Sequence, residues 1–360
     1  MFGLLIREGK GRGPYKNIGD YIQSIAQRQF IKDKKWQFVD IEELSDFKSE
    51  ERVNLIMNGW FTWNCNKFLP PACINPLFIS FHLTPPKETE FFTPQITDYL
   101  KKHEPIGARD MLTMEIMKSH GIDSYFSGCL TLTLGKDYYT GVHDGNMCIV
   151  DPYVEFGGDK SKNLIQRIFL SFYYLLKNFR KSQRLAHKYI HQNPTPISRF
   201  SSRLDHLLET ATFYEIYSKR FSDSILFNAK YLTAIVDNSL SNEDKFELAD
   251  NMMREYARAK LVITSRLHVS FPCLAVGTKN IFVYPSTKTE EKDVKRYSGR
   301  LGGLADTVTV LELDMGHLKN KYDELPEMIT EENFPAIKDG YKKYNEFLTK
   351  TVQEFVERNN

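Results

Sequence analysis

Hydrophobic positions in the first third of the chain fall into short β-rich runs separated by stretches of helical spacing. The runs lie at 2–6, 36–41, 53–57, 77–81, 105–108 and 125–134, with amphipathic helices expected at 20–31 and 110–120, the second closed by Gly121. The rhythm restarts at 147–150 and continues through strands at 231–236, 260–264, 280–284 and 308–313, with helices at 161–190, 201–220, 242–258 and 267–276. Strand followed by helix, repeated, predicts an α/β protein whose mostly parallel sheets carry helices on both faces. The polar, glycine-rich stretch at 135–146 reads as a seam. It predicts a first lobe at 1–140 and a second at 141–334, and a last helical pattern at 335–358 can cross back to the first lobe. Ligands of open α/β sheets sit beyond the carboxyl ends of the strands, so functional residues are sought in the loops that follow them.

Length and composition sharpen this picture. A chain of 360 residues suits two domains, and 41% hydrophobic with 26% charged residues excludes disorder and coiled coil. Lys and Arg number 48 against 46 Asp and Glu, a net +2, which argues against a nucleic-acid partner. Cys65, Cys73, Cys129, Cys148 and Cys273 are scattered with no C-x-x-C pair, so neither a disulfide framework nor a zinc ribbon is expected. The opening MFGLLIREGKGRG is too short in apolar residues for a signal-peptide core, and no stretch reaches the ~20 apolar residues of a membrane span. A cytoplasmic protein is expected.

The sharpest chemical feature is ITSRLHVSFPCLAVG at 263–277, where an apolar strand runs into Ser265, Arg266 and His268 and then into an apolar helix. A guanidinium there can grip a carboxylate or phosphate through two parallel hydrogen bonds, the helix end adds N–H donors, and imidazole can move a proton near neutral pH. Equally, Arg266 can pair with an acid across the lobes while His268 caps the helix. Three further landmarks are the N-x-G-D turn at Asn17, Gly19 and Asp20, IGARDMLTMEIMKSHGI at 106–122, and SGCLTLTL at 127–134.

Together with T-S-R-L-H, these landmarks resemble the polysaccharide pyruvyl transferase family from about residue 15 to about 285. The resemblance implies two Rossmann-like lobes facing a cleft, a GT-B-like arrangement. It also implies transfer of pyruvate from phosphoenolpyruvate to sugar hydroxyls of a bacterial surface polysaccharide precursor, giving a cyclic ketal. Phosphoenolpyruvate would be a co-substrate, with no cofactor and no metal. Arg266 would hold the donor's anionic groups with Ser265, and His268 would bind phosphate or act as the acid. Val269 stands where the family commonly has glycine, implying a more distant approach of ligand to the helix backbone. Asn58, Gly59 and Trp60 replace a glycine-rich turn, implying an altered acceptor pocket.

Other residues keep two readings each. Arg109 can be a second donor clamp or can pair with Asp110 at the start of its helix. Asp20, with Asn17, can orient an acceptor hydroxyl or cap the first helix. Trp60 and Trp63 can stack on a glycan ring or fill the core. The loop from Lys10 to Lys16 can be a lid over an anionic substrate, and Lys295, Arg296 and Arg300 can meet phosphate; either segment can equally be a solvated loop. The stretch 164–188 joins an apolar stripe to a basic tail, so it can bury the stripe in its own lobe or rest on the inner face of the membrane, useful for a lipid-linked oligosaccharide acceptor. His187 and His191 have helical metal spacing without a third ligand and are expected to be solvent-exposed. Competing functions are a glycosyltransferase using a nucleotide sugar and a non-catalytic glycan-binding protein.

Overall fold

The computed structural model of the chain describes residues 1–8, 15–84, 87–191, 195–286 and 301–360. Among these residues the strands are β1 (Phe2–Ile6), β2 (Tyr15–Asn17), β3 (Trp36–Asp40), β4 (Val53–Ile56), β5 (Ile74–Leu77), β6 (Ile106–Ala108), β7 (Ser124–Phe126), β8 (Cys148–Val150), β9 (Lys230–Leu232), β10 (Ile235–Asp237), β11 (Val262–Thr264), β12 (Asn280–Pro285), β13 (Thr309–Asp314) and β14 (His317–Asn320). The helices are α1 (Ile18–Ile31), α2 (Glu88–Phe91), α3 (Pro94–Lys101), α4 (Met111–Ser119), α5 (Gly135–Tyr138), α6 (Leu164–Lys177), α7 (Phe179–Ala186), α8 (Ser202–Tyr217), α9 (Asp223–Asn228), α10 (Asn242–Arg258), α11 (Leu267–Ala275) and α12 (Lys342–Arg358).

Two main sheets result. The first has the order β3-β1-β4-β5, all parallel, and the second β14-β13-β12-β11-β8-β9, parallel except for β14. The pair β6-β7 joins the first sheet through Gly107, whose N–H donates to Phe78 O and whose carbonyl accepts from Phe81 N. Counted along the chain, both sheets place their second parallel strand outside the first and their third on the first strand's other side. Each therefore has a topological switch point between its first and third strands, β1 and β4 in one sheet and β8 and β11 in the other.

These strands form where the chain has short apolar runs because both faces are covered. Every residue of β1, β4, β11 and β12 is buried, which removes the alternation seen in half-exposed strands. One apolar cluster spans both halves. It joins Leu4, Ile22 and Ile25 of the first with Val150, Met253 and Val269 of the second, and with Leu348 and Val352 of α12. Helix α1 lies within it, with 12 of its 14 residues buried. Arg28 of α1 grips Asp250 of α10 through both carboxylate oxygens, at 2.6 and 2.7 Å. The far end of α12 reaches the first sheet, where Asn54 and Asn75 donate to Asn359.

Several elements differ from the sequence expectation. The run 125–134 is a strand only as far as Phe126; Gly128 turns the chain at φ +80°, and Leu130–Thr133 forms a 3-10 turn closed by Thr133 Oγ1 on Leu130 O. The expected strand at 77–81 is displaced to Ile74–Leu77, and Ser80 takes a positive φ. The single helix expected at 161–190 breaks at Asn178, whose side chain donates to Glu215 of α8. The last helix starts at Lys342, after a 3-10 turn at Asp339–Tyr341.

Candidate functional site

At the switch point of the second sheet, β8 is followed directly by Asp151 and β11 by Ser265 and Arg266. Asp151 is 3% exposed and holds φ +42°, a left-handed backbone that is uncommon outside glycine. Its Oδ2 accepts from Arg266 Nε at 3.0 Å and from Ala234 N at 3.0 Å. Its Oδ1 is enclosed and has no hydrogen-bond partner among the described residues. Holding Nε fixes the guanidinium while leaving the N–H groups of its two terminal nitrogens available. Ser265 Oγ accepts from Tyr153 N at 2.7 Å, tying the loop after β8 to the same strand end. That loop lines a cavity at the carboxyl ends of β8, β12 and β13, with Tyr153, Glu155, Lys160, Ser286 and Asp314 in its wall.

Arg266 is the residue before α11, and Val269 N and Ser270 N both donate to its carbonyl, at 3.1 and 3.0 Å. His268 departs from helical geometry (φ −79°, ψ 17°), so the helix opens as a tight turn, and its Nε2 is enclosed. Val269 is fully buried in the shared core, so its side chain is packed on the interior side of the helix; the more distant ligand approach expected from this residue has no steric basis.

The first sheet's switch point is built around Arg7, directly after β1. Arg7 is 3% exposed and pairs with Asp20 Oδ2 at 3.2 Å and Glu42 Oε1 at 2.9 Å; it donates to Trp60 O at 2.6 Å and lies 5.4 Å from the Trp60 ring. Nearby Asp40 has its carboxyl pushed up by burial and by the charges of Glu42 and Glu8, against the lowering effect of the Glu42 N–H. Asn17 caps α1, accepting from Gly19 N at 3.0 Å, so Asp20 is free of that task and faces Arg7. Trp60 is half-buried and packs edge-on against Trp63, which is 47% exposed. Asn58 is structural, donating to Gln23 O at 3.1 Å beneath the sheet end.

The two strand ends meet. β2 pairs antiparallel with β10, setting Asn17 opposite Ile235. Ala234 O accepts from Ile18 N at 2.7 Å while Ala234 N reaches Asp151, so a single residue links the start of α1 to the Asp151–Arg266 pair. A Cβ on Gly19 would stand 3.1 Å from His268 Cβ, so the opening turns of α1 and α11 are in contact. Asn17, Gly19, Asp20, Arg266 and His268 thus form one neighbourhood, with Ser265 beside it, and Arg7 carries it on to Trp60 and Trp63.

Arg109 is held in an ion pair. It is 2% exposed, and its Nη2 pairs with Asp110 Oδ2 at 2.9 Å; His82 Nδ1 lies 3.2 Å from the same oxygen. Burial alone would raise the Asp110 carboxyl, but Arg109 and His82 outweigh it and hold it at about 2. Asp110 also caps α4 through Thr113 N, so Arg109 and Asp110 pair at the start of their helix. Lys10 to Pro14 and Lys295, Arg296 and Arg300 lie outside the described residues. Of the expected lid, Tyr15 and Lys16 form part of a strand, with Lys16 buried. His187 is exposed, but His191 is not a free surface residue: it lies between Asp205 Oδ2 at 3.2 Å and Glu209 Oε2 at 2.5 Å, and the Glu209 bond raises its pKa. No group of three or more His, Cys, Asp or Glu is arranged for a metal ion among the described residues.

Sequence reasoning missed Arg7, Glu42 and Asp151. Arg7 and Asp151 each directly follow the first strand of a sheet, and position alone would have found them. A family model described as polysaccharide pyruvyl transferase matches residues 17–287. That span runs from the cap of α1 past the end of β12 and contains both Asp151 and the Arg266–His268 turn. No curated protein and no solved structure matches the chain.

Proposed function

Since this chain belongs to the polysaccharide pyruvyl transferase family, we propose that it transfers pyruvate from phosphoenolpyruvate to two hydroxyls of a sugar in a bacterial surface polysaccharide precursor. The two sheets are the two lobes of this reading, with donor and acceptor bound where their strand ends meet. The observation that carries it is the contact of Gly19 with His268, which sets the acid-rich end of the first sheet beside the cationic end of the second.

The division of charge suits the two substrates. Phosphoenolpyruvate carries a carboxylate and a phosphate, which call for fixed cations and N–H donors. Arg266, oriented by Asp151, and the start of α11 supply them. A sugar hydroxyl calls for an acceptor, and Asp20, with Asn17 at the same turn, stands at that side; Trp60 and Trp63 offer ring faces. In the transfer, two C–O bonds form at the donor's C2 and its bond to the phosphate oxygen breaks. One hydroxyl proton's equivalent is delivered to the methylene carbon, making the methyl group, and the other leaves with phosphate. His268 is the group at the strand end able to donate the first or to accompany the second. The non-catalytic reading draws on Val269 and on the altered turn at Asn58, Gly59 and Trp60, and burial of the Val269 side chain removes the first of these two supports.

The test is thermal stability with saturating phosphoenolpyruvate, plain phosphate and a panel of nucleotide sugars, repeated on Arg266→Ala. A ligand that binds only the folded state raises the midpoint. The expected result is a rise with phosphoenolpyruvate beyond that with phosphate, lost in the variant. A rise with a nucleotide sugar alone would transfer the site to glycosyl transfer and overturn the proposal.

A further inference from the structure

Helix α6 is amphipathic in the reverse sense for a helix of a folded core. The side it turns to α8 buries only Ser171 and Leu175. The opposite side carries Ile165 (67% exposed), Phe169 (70%), Tyr173 (57%) and Leu176 (77%), continued by Phe179 at the start of α7. Spacings of four, four and three place these side chains in one stripe. Phe200, 86% exposed, follows the turn at Pro196–Arg199, whose Ile197 packs with Leu175 of α6 against α8.

Charge sorts to the same region. Residues 160–204 hold ten of the chain's 48 basic residues and none of its 46 acidic ones, so the remaining 38 bases face 46 acids. Arg167, Lys177 and Lys181 are paired with Glu155, Glu215 and Asp223, whereas Arg180, directly after Phe179, and Arg199 and Arg203, on either side of Phe200 in the sequence, are exposed.

We propose that α6, with the start of α7 and Phe200, is a docking surface for an anionic lipid bilayer, the apolar stripe entering the headgroup boundary and the arginines meeting lipid phosphates. Among the described residues no helix is long and apolar enough to cross a membrane, so the helix lies in the interface. A second copy fits poorly: a two-fold pairing through this segment, which has ten bases and no acid, would set like charges against one another. The surface is joined to the candidate site. The loop from Asp151 to α6 is pinned on the helix by Arg167 Nε to Phe156 O at 2.8 Å. It passes Arg167 so closely that Gly157, at φ +70°, has no room for a Cβ. An acceptor carried on a lipid would thereby meet the site from the membrane side; that clause rests on the proposed function, and the docking does not.

Vesicle sedimentation tests it, with vesicles of phosphatidylcholine alone and of phosphatidylcholine mixed with phosphatidylglycerol. Binding is expected to the anionic vesicles, at least about tenfold stronger than to the neutral ones and weakened by salt. Phe169→Ser with Leu176→Ser, and separately Arg180→Glu with Arg203→Glu, should each weaken it at least about tenfold, with unchanged melting and unchanged phosphoenolpyruvate affinity. Equal binding by wild type and both variants, or none at all, would overturn the proposal. So would self-association in the ultracentrifuge that the serine variant abolishes without any vesicle binding, which would assign the face to a second copy. Loss of donor binding with vesicle binding intact would count against the transferase reading alone.

Discussion

Replacing Arg266 by lysine keeps the charge and removes the geometry on which the donor site depends. In the wild type Nε is committed to Asp151 Oδ2 at 3.0 Å, which leaves the N–H groups of the two terminal nitrogens for a ligand. Lysine has one nitrogen and must choose between the buried carboxylate and the ligand. Asp151 already has one oxygen without a partner among the described residues, and its side chain is 1% exposed, so abandoning it is costly. A charge-assisted hydrogen bond contributes about 1.5–3 kcal/mol, so loss of one from the donor predicts about 10- to 150-fold weaker phosphoenolpyruvate binding. Asp151→Asn leaves Arg266 in place but unoriented and should weaken binding through the same element. The double variant Arg266→Lys/Asp151→Asn should therefore lose less than the sum, by about 1 kcal/mol or more. Titration calorimetry at fixed salt, with melting curves to establish folding, reads all four corners of the cycle. Arg266→Lys binding within about twofold of wild type, or additivity within about 0.4 kcal/mol, would refute the oriented clamp.

Three other outcomes are set by the geometry. Gly19→Ala puts a methyl 3.1 Å from both His268 Cβ and Asn17 Oδ1; overpacking of about 1–3 kcal/mol is partly offset by alanine's helix preference of about 1 kcal/mol. Melting should thus move little while donor affinity and turnover fall at least about tenfold, and wild-type function in this variant would break the link between the two helix starts. Asp110 has its folded pKa lowered from 3.8 to about 2, so its stabilisation is present above the unfolded value and lost as pH falls toward 2. Asp110→Asn should cost about 2 kcal/mol at pH 7 and far less near pH 2 in urea titrations, and a pH-independent cost would remove the charge pairing. Val269→Gly should cost about 2–4 kcal/mol by opening the shared core, and a cost below about 0.5 kcal/mol would place that side chain outside it.

Strands buried on both faces were legible because covering both sides of a parallel sheet demands unbroken apolar runs; β1 starts and ends where its run does. The short antiparallel pair β2-β10 was not. It joins residues more than 200 positions apart through three residues each; β2 is too polar to announce itself, and Ile235 and Val236 of β10 read as the end of a single strand at 231–236 that the structure divides into β9 and β10. The 125–134 run misled for the reverse reason. Its leucines are buried, as a strand's would be, but Leu130–Thr133 buries them from a 3-10 turn facing α11 and α12, and burial alone does not fix backbone geometry.

Within the site, Arg266 and His268 were legible because a named sequence pattern surrounds them, while Asp151 and Arg7 have none. What marks the latter pair is topology. Both sheets repeat one strand order, and in each the residue directly after the first strand is a buried ion-pairing group at the switch point, an acid in one and a base in the other. Their partners reverse the pattern: Arg7 is surrounded by Asp20 and Glu42, Asp151 by Arg266. A single charge at a crevice between strands must be neutralised by side chains from the neighbouring strand ends and helix starts, so each sheet end acquires its excess sign from the partners rather than from the residue at the switch point. Acid outweighs base around Arg7, whereas Arg266 leaves its outer edge unspent. That inequality separates an end suited to hydroxyls from an end suited to anions, and swapping it by Asp20→Asn together with Glu42→Gln should leave donor affinity within about twofold while abolishing turnover, a split that a purely structural role for Arg7's partners would not produce.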